Sequence, residues 1–589
     1  MKPARLLLSA VSLALFCAVP AAAAPASAEP VVEAEAAARL RALYDAEWKW
    51  RQAEYANVHE DGRWVPGEHL QSVTAEAYAR RGRYWEKALH ELDAIPLAAL
   101  PNEERINAAV FRTSLQANLD RVRYRTYEAP FNSDTFFWGG LNPRQPYRTE
   151  AQYRALLARL RELPRYFDEN IANMRAGLAR GYSVPRSSVE GRDKTIEPYT
   201  VDGPANPFLA TFAALPAGIP EANRQALQAE AAQVVRAQVA PAYAKLLKFM
   251  REEYLPRTRT SIAARDLPDG PAFYRSQIRE FTTLELEPKE IHEQGLEHVE
   301  RISAEMRAVM ARAGFKGSFA DFLEFLRTDP QFYARTPREL IAYSAYVAKR
   351  ADGQLKHVFN TLPRYRFTIL PVPDDVAPIY TSGRGGLDSC LMNTYQLPSR
   401  PLYNLAALTL HECVPGHSHQ AAVALEGPDR PDFRRQTYFS GYGEGWGLYS
   451  EWLGTEMGIY ETPYEDFGRL TFEMWRAARL VIDTGLHEYG WTRQQAIDYL
   501  ASHTALAQHD IETEVDRYIA WPGQALAYYL GYLTIRDLRA EAERELGAAF
   551  DQRPFHDALL DLGSVPLPVL QEQMRLFIAA QKRKPGAAE

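Results

Sequence analysis

Residues 409–420 read TLHECVPGHSHQ, and three of the chain's 13 histidines fall within positions 411–419. An H-E-x-x-H helix places two histidines four apart on one face, where both rings reach one zinc ion beside a glutamate general base. Here His411 and Glu412 open such a motif, but the next histidine is His417. At roughly 100° per residue, positions six apart point about 120° away from each other, so an unbroken helix would not aim both rings at one ion. Pro415 removes the hydrogen bond its N–H would have made to the His411 carbonyl. Gly416 permits a backbone excursion that other residues resist. The pair therefore predicts a two-residue bulge that returns His417 to the facing position. His419, eight residues after His411, is a weaker candidate.

Two histidines leave a zinc site short of a ligand, and the stretch GYGEGWGLYSEWLG (441–454) offers Glu444 and Glu451, seven apart and on one helical face. Glu444 is the expected third ligand, leaving a fourth position for water. Glu451 is either a carboxylate orienting a ligand histidine or a solvated helix residue. Glycine recurs at every second position from Gly441 to Gly447. Trp446 stands where a dinucleotide fingerprint needs its last glycine, so these glycines are read as points of close backbone approach. In MWRAARLVIDTGLHEYGW (474–491), Arg479, Asp483 and His487 repeat every four residues on an apolar helix. They are read either as a self-satisfying buried network or as support for the metal ligands, with His487 a donor to the transition state. In EVDRYIAWPGQALAYYLG (514–531), Arg517 and Tyr518 are candidates for substrate binding, and Tyr518 or Tyr528 for donation to an oxyanion.

Around these motifs the chain reads as mostly helical. Segments 34–56, 153–181 and 288–314 carry apolar residues at three- and four-residue spacing. Residues 185–222 are rich in Pro and Gly and predict a lid or an internal boundary. RYRFTIL (364–370) and LDSCLMNTYQL (387–397) have strand-forming composition. A small sheet is therefore expected just before the His411 helix, with an edge strand near Asn393 to align an extended peptide. Residues 1–28 combine Lys2 and Arg5, an apolar run from Leu6 to Pro20, and Ala26-Ser27-Ala28. That pattern is a secretory signal peptide cut before Glu29. Bulky Phe16 argues against a lipid attached at Cys17. Removing this segment takes the formal net charge from −7 to −9, because it holds two basic residues and no acidic ones. No long Lys/Arg run is present, so nucleic acid is not expected as a partner, and no later apolar run approaches the ~20 residues of a membrane span. Of the remaining cysteines, Cys390 and Cys413, the composition favours two buried free thiols over one bridge.

Taken together, these residues resemble the bacterial family known as domain of unknown function 885. The resemblance rests on His411-Glu412-x-x-Pro415-Gly416-His417, Glu444-Gly445-Trp446-x-x-Tyr449, Arg479-Leu480-x-x-Asp483-x-Gly485-x-His487 and Arg517-Tyr518-x-x-x-Pro522-Gly523-Gln524-Ala525, with Asn393 ahead of them. It spans nearly the whole chain after the leader. It implies a Glu-zincin-like zinc peptidase in which His411, His417 and Glu444 bind one zinc and Glu412 is the base. Ser418 stands where many members have a second histidine, and Tyr529 replaces a frequent lysine after Tyr528.

The expected fold is mainly α, a large helical metallopeptidase-like fold with a small β-sheet preceding the metal-binding helix. Residues 29–359 would wall the site and residues 360–589 would carry it. The expected function is zinc-dependent hydrolysis of short peptides by an exported protein, periplasmic in a Gram-negative source and otherwise secreted. The catalytic set is Glu412 with His487, Tyr528 and Arg517, and the substrate-binding set is Asn393 and Tyr518. A metal-dependent amidase or lyase on a small non-peptide substrate is an alternative. A non-catalytic periplasmic zinc-binding protein is another. No G-x-S-x-G elbow and no phosphate-binding G-x-x-x-x-G-K-[ST] loop occurs.

Overall fold

The computed structural model describes residues 28–583 apart from 61–62, 134, 144–146 and 375. The expected signal peptide lies, but for Ala28, outside the described residues. Among the described residues the chain is mainly helical with two small sheets. Three of the expected helical segments form: Ala28–Glu54, Pro288–Arg312 and, split in two, Glu150–Arg161 with Leu163–Ala179. The split falls just ahead of Pro164, which enters the second helix in its first turn, where a missing N–H costs nothing. Among the described residues no helix is long and apolar enough to cross a membrane.

Apolar side chains gather in two cores. A smaller one is built from Val73 and from residues between Phe131 and Tyr254. Segment 185–222 is part of it. Val189, Phe208 and Phe212 on short helical turns, with Ile196 and Ile219 beside them, are buried there, so the expected lid or boundary is instead a packed wall. Its Pro and Gly residues punctuate these turns without freeing them. The larger core runs from Ala36 to Ile578 and takes residues from both sides of position 359: Phe359 packs against Trp446, and Leu355 and Leu405 share that core.

At the centre of the larger core lies the helix Pro463–His487, buried on almost every face. Such a helix must be apolar all round or find partners for each polar group it carries. Gly295 and Gly468 let it approach its neighbours. A Cβ on Gly295 would lie 2.8 Å from Leu480 and Val481, and one on Gly468 would lie 2.0 Å from the Tyr403 carbonyl oxygen.

A two-stranded hairpin, β1 (Asn57–Glu60) and β2 (Arg63–Pro66), sits apart from the candidate site in sequence. The three-stranded sheet comes just before the helix Leu402–Glu412, as expected from composition. β3 (Thr368–Pro371) runs parallel to β5 (Ser389–Met392), and β4 (Gly383–Arg384) runs antiparallel to it, in the order β3-β5-β4. The strand leading to Asn393 is thus the central one, and the edges are β3 and the two residues Gly383 and Arg384.

The glycine-rich helix Ser440–Glu456 crosses the helix Leu526–Leu546 at backbone contact. A Cβ on Gly531 would lie 1.9 Å from the Gly441 carbonyl oxygen and 2.9 Å from the Gly445 Cα. The spacing glycines are therefore points of close approach, as expected. Gly531→Ala should force these helices apart and destabilise the protein by about 1–3 kcal/mol, the usual cost of overpacking. Urea denaturation compared with wild type measures it.

A candidate metal centre

His411 ends the helix Leu402–Glu412 and His417 begins the helix His417–Glu426. The Pro-Gly pair does not bulge one continuous helix, as expected, but separates two. The Val414–Pro415 peptide is cis. Gly416 folds back so closely that its N–H donates to the Leu410 carbonyl at 2.9 Å. A Cβ there would lie 1.8 Å from the His411 carbonyl oxygen, so only glycine fits. The indole Nε1 of Trp446 donates to the Pro415 carbonyl at 2.8 Å, tying the break to the Glu444 helix.

The break brings the expected ligands together. His411, His417 and Glu444 each offer an atom, and these atoms lie within 4.8 Å of one another. The Glu444 Oε2 stands 3.4 Å from His411 Nε2 and 3.3 Å from His417 Nε2. Behind His411, Nδ1 meets Glu451 Oε1 at 2.8 Å, and Arg476 Nη2 lies 3.5 Å from the same oxygen. Glu451 is buried, so it is the orienting carboxylate and not the solvated one. Because a carboxylate accepts, Nδ1 carries the proton and Nε2 turns a lone pair toward Glu444. Two lone-pair atoms facing each other at this distance require a cation between them. Burial pushes His411 down, but its hydrogen bonds to Glu444 and Glu451 outweigh burial and hold it above the ordinary imidazole range. Glu444 is desolvated, yet both histidines hold it well below the usual carboxylate range. The donor set, two imidazoles and one carboxylate, suits zinc equally well.

Glu412 is turned out of this donor set. Its Oε2 accepts from the Gly385 N–H, just past the edge strand β4, at 2.6 Å. The fit is tight, since a Cβ on Gly385 would lie 2.0 Å from the Glu412 carbonyl oxygen and 2.6 Å from the His417 Cβ. Ser418, where the family pattern lowers expectations, is used here: its hydroxyl donates to the Glu412 carbonyl and accepts from the Gly386 N–H. Gly447 makes room for His411, whose ring would lie 2.6 Å from a Cβ at that position.

Other candidates fall elsewhere. His487 is fully buried, accepting from the Ala264 N–H at Nδ1 and meeting the Tyr518 carbonyl at Nε2. Burial pushes its pKa down to about 3. Both nitrogens of this neutral ring are committed, so it is not the expected donor to a transition state. Nor do Arg479, Asp483 and His487 satisfy one another. Arg479 pairs with Glu514 and the Tyr518 hydroxyl, and Asp483 accepts from the Tyr274 hydroxyl and the Gly523 N–H. Periodicity placed them on one face, but their partners come from four other segments.

Tyr518 is buried, its hydroxyl taken by Trp475 and Arg479, so it does not face a substrate. Asn393 is buried too. Its Nδ2 donates to the carbonyls of Ala377, Tyr380 and Thr381, and its Oδ1 accepts from the Tyr395 N–H. It shapes the loop before β4 and does not bind substrate directly. Arg517 pairs with Glu514 at 3.8 Å and lies over the Trp521 ring. Tyr528 does reach the site, its ring 6.4 Å from that of His411 and nearly parallel to it, with Arg479 behind. His419 is buried against Phe359, and burial lowers its pKa to about 4.

Sequence reasoning missed Tyr438. It precedes the Glu444 helix and its hydroxyl rests on Gly443, where a Cβ would lie 2.1 Å away. Nothing in the local pattern singles it out among 32 tyrosines.

The chain matches, over residues 52–574, the model of a family described as bacterial protein of unknown function (DUF885). It belongs to that family. No curated protein matches it. Among solved structures it is similar to a "putative lipoprotein" from Colwellia psychrerythraea, at 27% identity and a TM-score of 0.83, covering 93% of this chain and 99% of that one. A "putative lipoprotein of unknown function" from Shewanella oneidensis shares the fold at 17% identity and a TM-score of 0.69, covering 92% and 99%.

Cys390 and Cys413 form a disulfide, correcting the expectation of free thiols. It fastens the central strand to the residue after Glu412. Neither cysteine sits in a recognisable pairing motif, and only the packing of sheet on helix brings them together. Replacing both by serine should cost about 3 kcal/mol for a loop of this length. Comparing denaturation midpoints with and without the bridge tests this.

Proposed function

We propose that this protein is an exported zinc-dependent peptidase acting on short peptides. The observation that carries the reading is the placement of Glu412. It is adjacent to a ligand, outside the ligand set, and held by the Gly385 N–H at the rim of the edge strand. A structural metal site has no use for a carboxylate fixed in that position.

His411, His417 and Glu444 would hold the ion, with Glu451 keeping His411 in the tautomer that offers Nε2. When bound, zinc supplies a Lewis acid that polarises a carbonyl and acidifies water. Glu412 takes the proton of the attacking water and passes it to the leaving amine. Tyr528, stacked beside His411, walls the site. Gly383 and Arg384 form the sheet edge beside Glu412 and would pair with an extended peptide, replacing the central strand in the role first expected near Asn393. Export is supported by the leader pattern of residues 1–28 and by the description of the two structural neighbours as lipoproteins.

Purified, dialysed protein should carry about one zinc per chain by elemental mass spectrometry. It should cleave members of a short-peptide panel in a chelator-sensitive way, and Glu412→Gln should keep the metal while losing about 10²–10⁴-fold in rate. Bound metal without turnover of any peptide would instead favour the binding-protein alternative, and turnover of non-peptide amides alone the amidase.

Glu451→Gln should leave the fold intact and weaken metal binding about 10–100-fold, the usual effect of removing a carboxylate behind a ligand histidine. Competition with a chromophoric zinc chelator measures it.

A further inference from the structure

Tyr438 differs from the buried tyrosines near the site whose hydroxyls are bonded. Tyr442, Tyr449 and Tyr518 are buried with their hydroxyls bonded, to the Leu559 carbonyl, to His556 and to Trp475. Tyr438 is 57% exposed, and its hydroxyl has no hydrogen-bond partner among the described residues. An exposed phenol is not costly in itself, because its hydroxyl bonds to water, so its position is set by what packs around it.

Its neighbours do hold it. Phe439 is buried and its N–H donates to the Ser564 hydroxyl at 2.8 Å, while the Thr437 hydroxyl donates to the Phe433 carbonyl. The phenol end then lies against Gly443, the residue before Glu444. Any side chain at 443 would occupy the hydroxyl's place, because a Cβ there would sit 2.1 Å from the oxygen and 2.5 Å from two ring carbons. The helix thus carries a notch that the tyrosine fills. Gly443 and Gly447 lie one turn apart on the same helical face, and Gly447 meets the His411 ring, so the notch places the hydroxyl one turn from that histidine and beside Glu444. Burial first, then Glu444, Tyr528 and Glu412, hold the phenol well above its usual range, with Arg384 opposing. It is therefore a neutral donor at any working pH.

We propose that Tyr438 is a catalytic residue, its hydroxyl donating a hydrogen bond to the carbonyl oxygen of the scissile bond as negative charge gathers there. This inference rests on the peptidase reading. The proton stays on the phenol throughout: the bond stabilises the oxyanion without transferring a proton, and Glu412 alone carries the water's proton to the amine. Donors already aimed at a developing oxyanion need no reorganisation at the moment of reaction, and losing one costs about 10²–10³-fold in kcat. Of the donors expected on sequence, His487 is excluded by its two committed nitrogens, and Tyr438 joins Tyr528 as a phenol beside the donor cluster.

The experiment compares wild type, Glu412→Gln and Tyr438→Phe on the peptide that wild type cleaves fastest. Tyr438→Phe should lose about 10²–10³-fold in kcat with KM changed only a few-fold, zinc content at wild-type level and an unchanged denaturation midpoint. A phosphinic peptide, which mimics the tetrahedral oxyanion, should bind this variant more weakly by a similar factor, whereas a purely positional effect would weaken substrate and mimic alike. Turnover within threefold of wild type, or equal losses for substrate and mimic, overturns the assignment of Tyr438 while the peptidase reading stands. A wild-type protein that cleaves no peptide overturns that reading, and the inference with it.

Discussion

The helix Ser440–Glu456 is the constraint on which the site depends, because it touches three partners at distances only glycine allows. Gly441 and Gly445 admit the backbone of Gly531, Gly447 admits the His411 ring, and Gly443 admits the Tyr438 phenol. Glycine is unfavourable in a helix interior by roughly 0.5–1 kcal/mol relative to alanine. A helix carrying so many is held by packing and not by its own propensity. In return, Glu444 and Glu451 are delivered to the front and back of one histidine. Moving this helix outward by the width of a methyl group would open the donor cluster and break the bond that sets the His411 tautomer.

A second constraint comes from the opposite side. The chain leaves the helical path after Glu412, and three unrelated devices fasten that departure: the Trp446 indole on the Pro415 carbonyl, the Ser418 hydroxyl between Glu412 and Gly386, and the bridge from Cys413 to the central strand. Each ties the break to a different element. The position of Glu412 relative to the donor cluster is consequently a property of the sheet and the neighbouring helix together, and not of the helix that contains it.

The buried charges of the helix Pro463–His487 show the same economy. Arg476 backs Glu451, Arg479 meets Glu514, and Asp483 gathers a hydroxyl and an N–H. Unpaired, each would be costly to bury. Paired, they lock the core helix against its neighbours and support the site through Glu451. His487, at the end of the same face, completes the packing as a neutral ring bonded at both nitrogens.

Much of the site was legible in the sequence. The histidine density at 411–419, the neighbouring glutamate, the acidic helix beyond it and the small sheet before it are local patterns, and local patterns report backbone period and side-chain chemistry directly. Glu451 was visible at the right spacing, though not its burial. What only the tertiary structure decided is which polar groups are already spent. His487, Tyr518 and Asn393 look like site residues in one dimension, but hydrogen bonds to distant segments consume their donors and acceptors. Tyr438 looks ordinary until the notch at Gly443 is seen. The Cys390–Cys413 bridge likewise depends on a sheet lying against a helix break. Hydrogen-bond satisfaction and contact across the core are properties of pairs far apart in the chain, and no periodicity within a single segment can encode them.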